Sequence, residues 1–247
     1  MTHQTLYIIH GWTYTTSHWA KTLEIMRRDG FPVEMLNVPG LTTESKKIFT
    51  IEDYVSWAKK SLPKGSIALG HSNGGRILLN LLSIDVRNGK SSHLSHLILL
   101  DSAGVYEASK KRDLVKALSR LGAPLKKSKF LRKVFHKLTG AADYSHAPEN
   151  MKKTMQNMLE SDKHLKLEGI TTPTSILWGE KDTVTPPRMA KVLNEKLPNS
   201  TLKLYKNWTH SPYIVDPAGL ARALESIIKE IEVKNCIHTN IKERREK

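Results

Sequence analysis

A chain of 247 residues can bury one substantial core, and its 39% hydrophobic and 26% charged residues suit a soluble globular protein and argue against disorder. No apolar run reaches the roughly 18 residues that cross a bilayer, and Met1–His10 lacks a basic stretch leading into a long apolar one, so neither a membrane span nor a secretory leader is expected. The 39 basic and 24 acidic residues leave a formal charge of +15, which favours acidic, nucleic-acid or anionic-membrane partners, while a lone cysteine, Cys236, excludes an internal disulfide.

Strand-like and helix-like segments alternate along the chain, the pattern of a parallel sheet covered by helices. Leu6–Ile9 is a short β-rich run ending in His10-Gly11. Trp19–Asp29 reads as a helix stopped by Gly30, and Pro32–Val38 as a second strand followed by Pro39-Gly40. Ile51, Tyr54, Val55, Ala58 and Leu62 share one face of a helix over 51–62. Ser66–Leu69 is a brief third strand, and Gly74–Val86 is apolar almost all round, as a helix buried against a sheet would be.

Leu94–Leu100 is the fourth strand, ending in Asp101-Ser102-Ala103-Gly104. Thr174–Trp178 is the fifth, Met189–Leu197 a helix, Thr201–Tyr205 the last strand and Pro217–Ile231 the closing helix. The polar residues 234–247 are expected to form a frayed, flexible tail. Residues 105–168 show helical periodicity without a convincing strand. They are read as a helical cap inserted into a core made of residues 1–104 and 169–247.

The strongest chemical signal is Gly70-His71-Ser72-Asn73-Gly74, a G-x-S-x-G pattern with a strand leading in and a helix leading out. A serine presented on so sharp a turn has a strained backbone. Glycine at 70 and 74 removes the side chains that would collide across the turn. Ser72 then sits at a helix N-terminus, where N–H groups favour developing negative charge. The plain alternative is an ordinary Gly/Ser/Asn turn, and the flanking strand and apolar helix argue against it.

A serine hydroxyl needs a base to become a good nucleophile. Of eleven histidines, His210 follows the last strand in Asn207-Trp208-Thr209-His210-Ser211-Pro212. The acid is expected after the preceding strand, where Asp182 stands in Trp178-Gly179-Glu180-Lys181-Asp182. Glu180 and Asp101 are its competitors. Ser, Asp, His is the chain order this architecture requires. Two backbone donors must face the oxyanion of a tetrahedral intermediate. The Asn73 N–H, just after the nucleophile, is one, and the Trp12 N–H, after His10-Gly11, is the other.

Together these segments resemble the α/β-hydrolase superfamily, and in particular compact serine esterases with a helical cap. The resemblance runs from His10-Gly11-Trp12 through the Ser72 pentapeptide and Asp182 to His210. It implies an α/β fold with a mostly parallel sheet flanked by helices, Ser72 as nucleophile, His210 as base and Asp182 as its orienting acid. It also implies hydrolysis of a small-molecule carboxylic ester with no cofactor. C–C bond hydrolysis, thioester hydrolysis and acyl transfer use the same groups and stay open, as does a receptor-like binding protein. One departure is visible: only nine residues precede His10, where the family begins with two further strands. The sheet is therefore expected to have six strands, with an exposed edge that a homodimer would cover.

No G-K-[ST] follows a glycine loop, and H-E-x-x-H and cysteine clusters are absent, so the sequence supports neither a nucleotide nor a metal site. Between Ala108 and Thr139 stand eleven Lys or Arg and one acid, Asp113. Leu125–Leu138 is a basic amphipathic helix candidate. The preferred reading is a cap helix with lysines in water, ahead of an anionic membrane contact. No recognisable nucleic-acid module accompanies it. The expected location is cytoplasmic, where the sequons at Asn199 and Asn207 carry no meaning.

Overall fold

The computed structural model describes residues 3–105 and 147–245, with side chains up to residue 237. Six parallel strands form one sheet: β1 (Leu6–Ile9), β2 (Val33–Met35), β3 (Ser66–His71), β4 (Leu94–Leu100), β5 (Thr174–Gly179) and β6 (Ser200–Tyr205). Their spatial order is β2-β1-β3-β4-β5-β6, every neighbour parallel. This is the α/β architecture expected from the alternation of elements.

The order places a topological switch between β1 and β3. The chain leaves β1 toward the β2 edge and leaves β3 toward β4, so the loops at their carboxyl ends diverge. A crevice opens there, where ligands bind in open α/β sheets. Ile9 pairs with Gly70 in register, so the residues after β1 and those after β3 emerge side by side.

Strand residues alternate between two apolar layers because successive side chains point to opposite faces. Ile67, Leu69, Ile98, Leu100 and Leu177 pack with α1 (Ala20–Arg28) and the closing helix on one face. Ala68, Leu97, Leu99, Ile176 and Trp178 pack on the other. That second layer contains α2 (Ile51–Ser61), α3 (Asn73–Arg87), α4 (Glu149–Ser161) and α5 (Pro187–Lys196). A short helix, α6 (Pro212–Val215), precedes the closing helix α7 (Pro217–Arg245).

The α2 helix starts where its sequence dictates. The Thr50 side chain accepts from the Asp53 amide and the Asp53 carboxylate accepts from the Thr50 amide, a reciprocal capping box. The closing helix α7 continues to Arg245, well past the Ile231 at which sequence patterning ends it, so residues 234–245 of the expected tail are helical. Its core anchors among the described side chains end at Ile231, and residues 233–237 are exposed, so hydrophobic periodicity gives no signal there. The second strand is also shorter than expected, three residues at the sheet edge.

Between β4 and β5 the described residues contain no strand. Met151, Met155 and Met158 of α4 are buried in the same layer as α2 and α3. The rest of the expected cap, including Leu125–Leu138 and its lysines, lies outside the described residues. No helix among the described residues is long and apolar enough to cross a membrane.

Candidate active site

Ser72 lies between β3 and α3 with φ 51° and ψ −117°, a conformation that L side chains rarely adopt. The strand beside it holds this strained turn. The Ser72 amide donates to the Leu100 carbonyl at 3.1 Å, and the Ala103 amide donates to the Ser72 carbonyl at 2.9 Å. The glycines flanking the turn are demanded by contact. A Cβ on Gly70 would lie 2.5 Å from the Gly75 Cα, and one on Gly74 would lie 2.0 Å from the Ile9 carbonyl oxygen. The start of α3 thus rests directly on the end of β1.

Three side chains form a continuous line. His210 Nε2 lies 3.1 Å from Ser72 Oγ, and its Nδ1 lies 2.8 Å from Asp182 Oδ2. A carboxylate only accepts, so Nδ1 carries the proton and Nε2 presents its lone pair to the Ser72 hydroxyl. The second Asp182 oxygen accepts from the Val184 amide at 2.7 Å and the Thr185 amide at 3.0 Å. Burial alone would raise the Asp182 pKa. The His210 imidazole, the Thr185 hydroxyl and the Val184 amide outweigh it and hold the carboxyl below its ordinary value.

Of the three acids weighed from sequence, Asp182 meets the ring. Glu180 is exposed, and Asp101 is fully buried with its Oδ1 accepting from the Gly179 amide at 2.8 Å. The acid and base loops are tied to each other. The Lys181 amide donates to the Trp208 carbonyl at 3.0 Å, and a Cβ on Gly179 would lie 2.4 Å from the same oxygen. Trp208 is itself anchored: its indole stacks on Tyr205 with centroids 3.6 Å apart and donates to Asp216 Oδ2 at 3.0 Å.

Both expected backbone donors border Ser72. Asn73 is the first residue of α3. Trp12 follows Gly11, where an added Cβ would lie 3.0 Å from the Ser72 Cβ. Neither amide donates to an acceptor among the described residues.

Three groups around the line were missed by sequence reasoning. His71 Nε2–H donates to the His210 carbonyl at 2.8 Å. Burial, and then the neighbouring His210, push the His71 pKa down to about 3. The Thr185 hydroxyl lies 2.7 Å from Asp182 Oδ2 and 3.1 Å from His210 Nδ1. Arg76, one turn into α3, makes a two-oxygen ion pair with Asp162 at 2.7 and 3.0 Å and bonds the Asn73 side chain. The one available signal was proximity in sequence: His71 adjoins Ser72, Arg76 lies four residues past it, and Thr185 lies three past Asp182. No metal-holding group of three or more His, Cys, Asp or Glu occurs among the described residues.

Residues 6–223 match the model of the Alpha/beta hydrolase family. The pimeloyl-[acyl-carrier protein] methyl ester esterase of Vibrio cholerae is 20% identical over 245 residues, covering 90% of this chain and 92% of its own. A protein of the same name from Chromobacterium violaceum is 28% identical over 122 residues, 49% of this chain and 45% of its own. A putative lipase from Acinetobacter baumannii superposes with a TM-score of 0.68 at 18% identity, over 94% of this chain and 86% of its own. An esterase from Thermogutta terrifontis superposes with a TM-score of 0.63 at 18% identity, over 93% and 91%. At such identities the structural likeness speaks for the fold, while the family match spans nearly every strand and helix described above: the chain belongs to the alpha/beta hydrolase family.

Proposed function

We propose that the protein is a serine esterase that hydrolyses a carboxylic ester through an acyl-enzyme on Ser72. The observation that carries this is the unbroken line from Ser72 Oγ through the His210 ring to the buried Asp182, with gaps of 3.1 and 2.8 Å. Ser72 Oγ attacks the ester carbonyl carbon while His210 Nε2 takes the hydroxyl proton. Asp182 holds the Nδ1–H tautomer and stabilises the imidazolium that forms. The Asn73 and Trp12 amides receive the negative charge that develops on the carbonyl oxygen. His210 passes its proton to the departing alkoxide, which leaves as an alcohol. Water then attacks the acyl-enzyme, again through His210, releasing a carboxylic acid and restoring Ser72.

The likeness to methyl ester esterases favours an ester over the thioester, C–C and acyl-transfer reactions that the same groups would serve. It also singles out the methyl ester of an acyl chain as a substrate to try. Ser72→Ala should lose p-nitrophenyl ester hydrolysis by several orders of magnitude while keeping its melting temperature. A fluorophosphonate probe should modify the wild-type chain at Ser72. Undiminished hydrolysis by Ser72→Ala would overturn the proposal. Failure of the probe to label would favour a receptor-like binding protein.

A further inference from the structure

The residue that follows β1, His10, is almost wholly buried, with 1% of its surface exposed. Both ring nitrogens are engaged. Nδ1 lies 2.8 Å from the carbonyl oxygen of Gly11, the next residue along the chain. A carbonyl only accepts, so Nδ1 carries the ring proton. Nε2 is then an acceptor, and the Thr42 hydroxyl, 3.1 Å away, donates to it. Thr42 Oγ1 has its own donor, the Val38 amide at 2.8 Å, so its single proton is directed at His10. The series Val38 N–H to Thr42 Oγ1, Thr42 O–H to His10 Nε2, and His10 Nδ1–H to Gly11 O uses each donor once and fixes one tautomer. Thr42 is held by its own tight turn, with Leu41 and Thr42 amides donating to the Val38 carbonyl at 3.1 and 3.0 Å.

The Gly11 carbonyl and the Trp12 N–H belong to one peptide unit. That unit is planar, and the chain contains no cis peptide bond among the described residues. The N–H therefore points opposite to the carbonyl, and whatever fixes the oxygen fixes the hydrogen. Glycine at position 11 is required, because a Cβ there would lie 2.9 Å from His71 Nδ1 and 3.0 Å from the Ser72 Cβ. Glycine also leaves the peptide easiest to rotate, since no side chain restricts its backbone. The loop therefore needs an outside group to choose the direction of the Trp12 N–H.

We infer that His10 is a positioning residue for ester hydrolysis: by donating to the Gly11 carbonyl it aims the Trp12 amide at the oxyanion. This rests on the reading of Ser72 as nucleophile and of the Trp12 amide as one of its two oxyanion donors. His10 touches no reacting atom and acts through the peptide beside it. Burial lowers its pKa, partly offset by the Gly11 carbonyl, so the ring works as a neutral donor with a fixed tautomer.

Two variants that both keep a polar amide at this site separate positioning from packing. The Asn side-chain nitrogen falls near the place of His Nδ1 and can still donate to Gly11. The Gln nitrogen falls near the place of His Nε2 and meets Thr42 instead. His10→Asn should keep kcat for a p-nitrophenyl ester within about fivefold of wild type. His10→Gln should lose roughly 10²-fold in kcat, the scale of one misdirected oxyanion donor. KM should move by less than about threefold in either, with melting temperatures checked in both. Equal losses in the two variants, or a His10→Gln enzyme as fast as wild type, would overturn the inference. Ser72→Ala is run beside them. Retained activity there defeats the serine reading itself, whereas an inactive Ser72→Ala with an unaffected His10→Gln defeats only the role of His10.

Discussion

The imidazole of His71 donates from Nε2 to the backbone carbonyl of His210 at 2.8 Å. The residue immediately before Ser72 therefore grips the main chain of the residue whose ring faces Ser72. The two contacts cross 139 and 138 positions of sequence and close a small frame: one backbone bond and one side-chain approach between the same pair of loops. Trp19 and Tyr213 wall the His71 ring edge-on, at centroid distances of 5.8 and 5.2 Å.

The first prediction concerns acid stability. His71 is buried and its pKa lies at about 3, against roughly 6.5 in an unfolded chain. The folded state keeps the ring neutral while the unfolded state takes a proton. Its contribution is therefore complete above about pH 6.5 and is lost progressively as pH falls toward 3. The cost is on the order of 5 kcal/mol across that window. His71→Gln can place its amide nitrogen near Nε2, keep the bond to His210, and has no proton to take up. Urea unfolding at pH 7.5 and pH 4.5 should show a smaller loss of stability in His71→Gln than in wild type. Equal losses would show that His71 is not the group being titrated.

Asp101 makes the opposite prediction at higher pH. Its side chain is fully buried, one oxygen accepts from the Gly179 amide, and the other has no hydrogen-bond partner among the described residues. Burial pushes its pKa well above the ordinary carboxyl value, the Gly179 amide offsets part of this, and the neighbouring Asp182 adds to it. The folded state thus holds a proton that the unfolded chain releases near pH 4. Native stability falls as pH rises from there toward the raised folded value. Asp101→Asn removes that slope while keeping an acceptor for Gly179. Its stability relative to wild type should be higher at pH 8 than at pH 5, read from urea midpoints at both. Parallel pH slopes in the two proteins would sink the idea.

The motif around Ser72 was legible in sequence because its constraints are local: a strand, two glycines with no room for a Cβ, and an apolar helix, all within about twenty residues. Asp182 and His210 could be placed because the alternation of strands and helices fixes which loops share an edge of the sheet. Thr185, His71 and Arg76 could not, since their partners are set by how loops fold over one another. His71 was already inside the motif, but nothing near it in sequence identifies the His210 carbonyl as its acceptor. The extension of α7 was missed for a different reason: residues 233–237, just past its last core anchor, are all exposed, so hydrophobic periodicity is silent there.

Thr185 links the two ends of the acid–base pair. Its hydroxyl lies 2.7 Å from Asp182 Oδ2, 3.1 Å from His210 Nδ1 and 3.0 Å from the Asp101 carbonyl oxygen, so it helps set the angle at which the carboxylate meets the ring. Valine matches threonine in shape and lacks the hydroxyl. Losing one such bond to a charged acceptor is worth about 1.5–3 kcal/mol. If most of this appears in the transition state, Thr185→Val should lower kcat about tenfold, and Thr185→Ser should restore most of it. Equal kcat in the valine and serine variants would remove Thr185 from the account.

The Arg76–Asp162 pair joins α3 to the turn after α4 and is almost completely buried, with 6% and 5% of the two side chains exposed. The third guanidinium nitrogen donates to the side-chain oxygen of Asn73, the residue whose backbone N–H is the proposed oxyanion donor next to Ser72. Removing one partner strands the other charge in the core, so Arg76→Met alone should cost about 3–5 kcal/mol. Replacing both, as Arg76→Met with Asp162→Leu, removes the stranded charge and should recover most of that stability. Activity should not recover in parallel, because the Asn73 side chain still lacks its anchor. The measurements are urea unfolding and kcat on the two single variants and the double. A double variant no more stable than Arg76→Met would contradict the ion-pair account. A double variant restored in both stability and kcat would show that the pair serves packing alone and has no hold on Asn73.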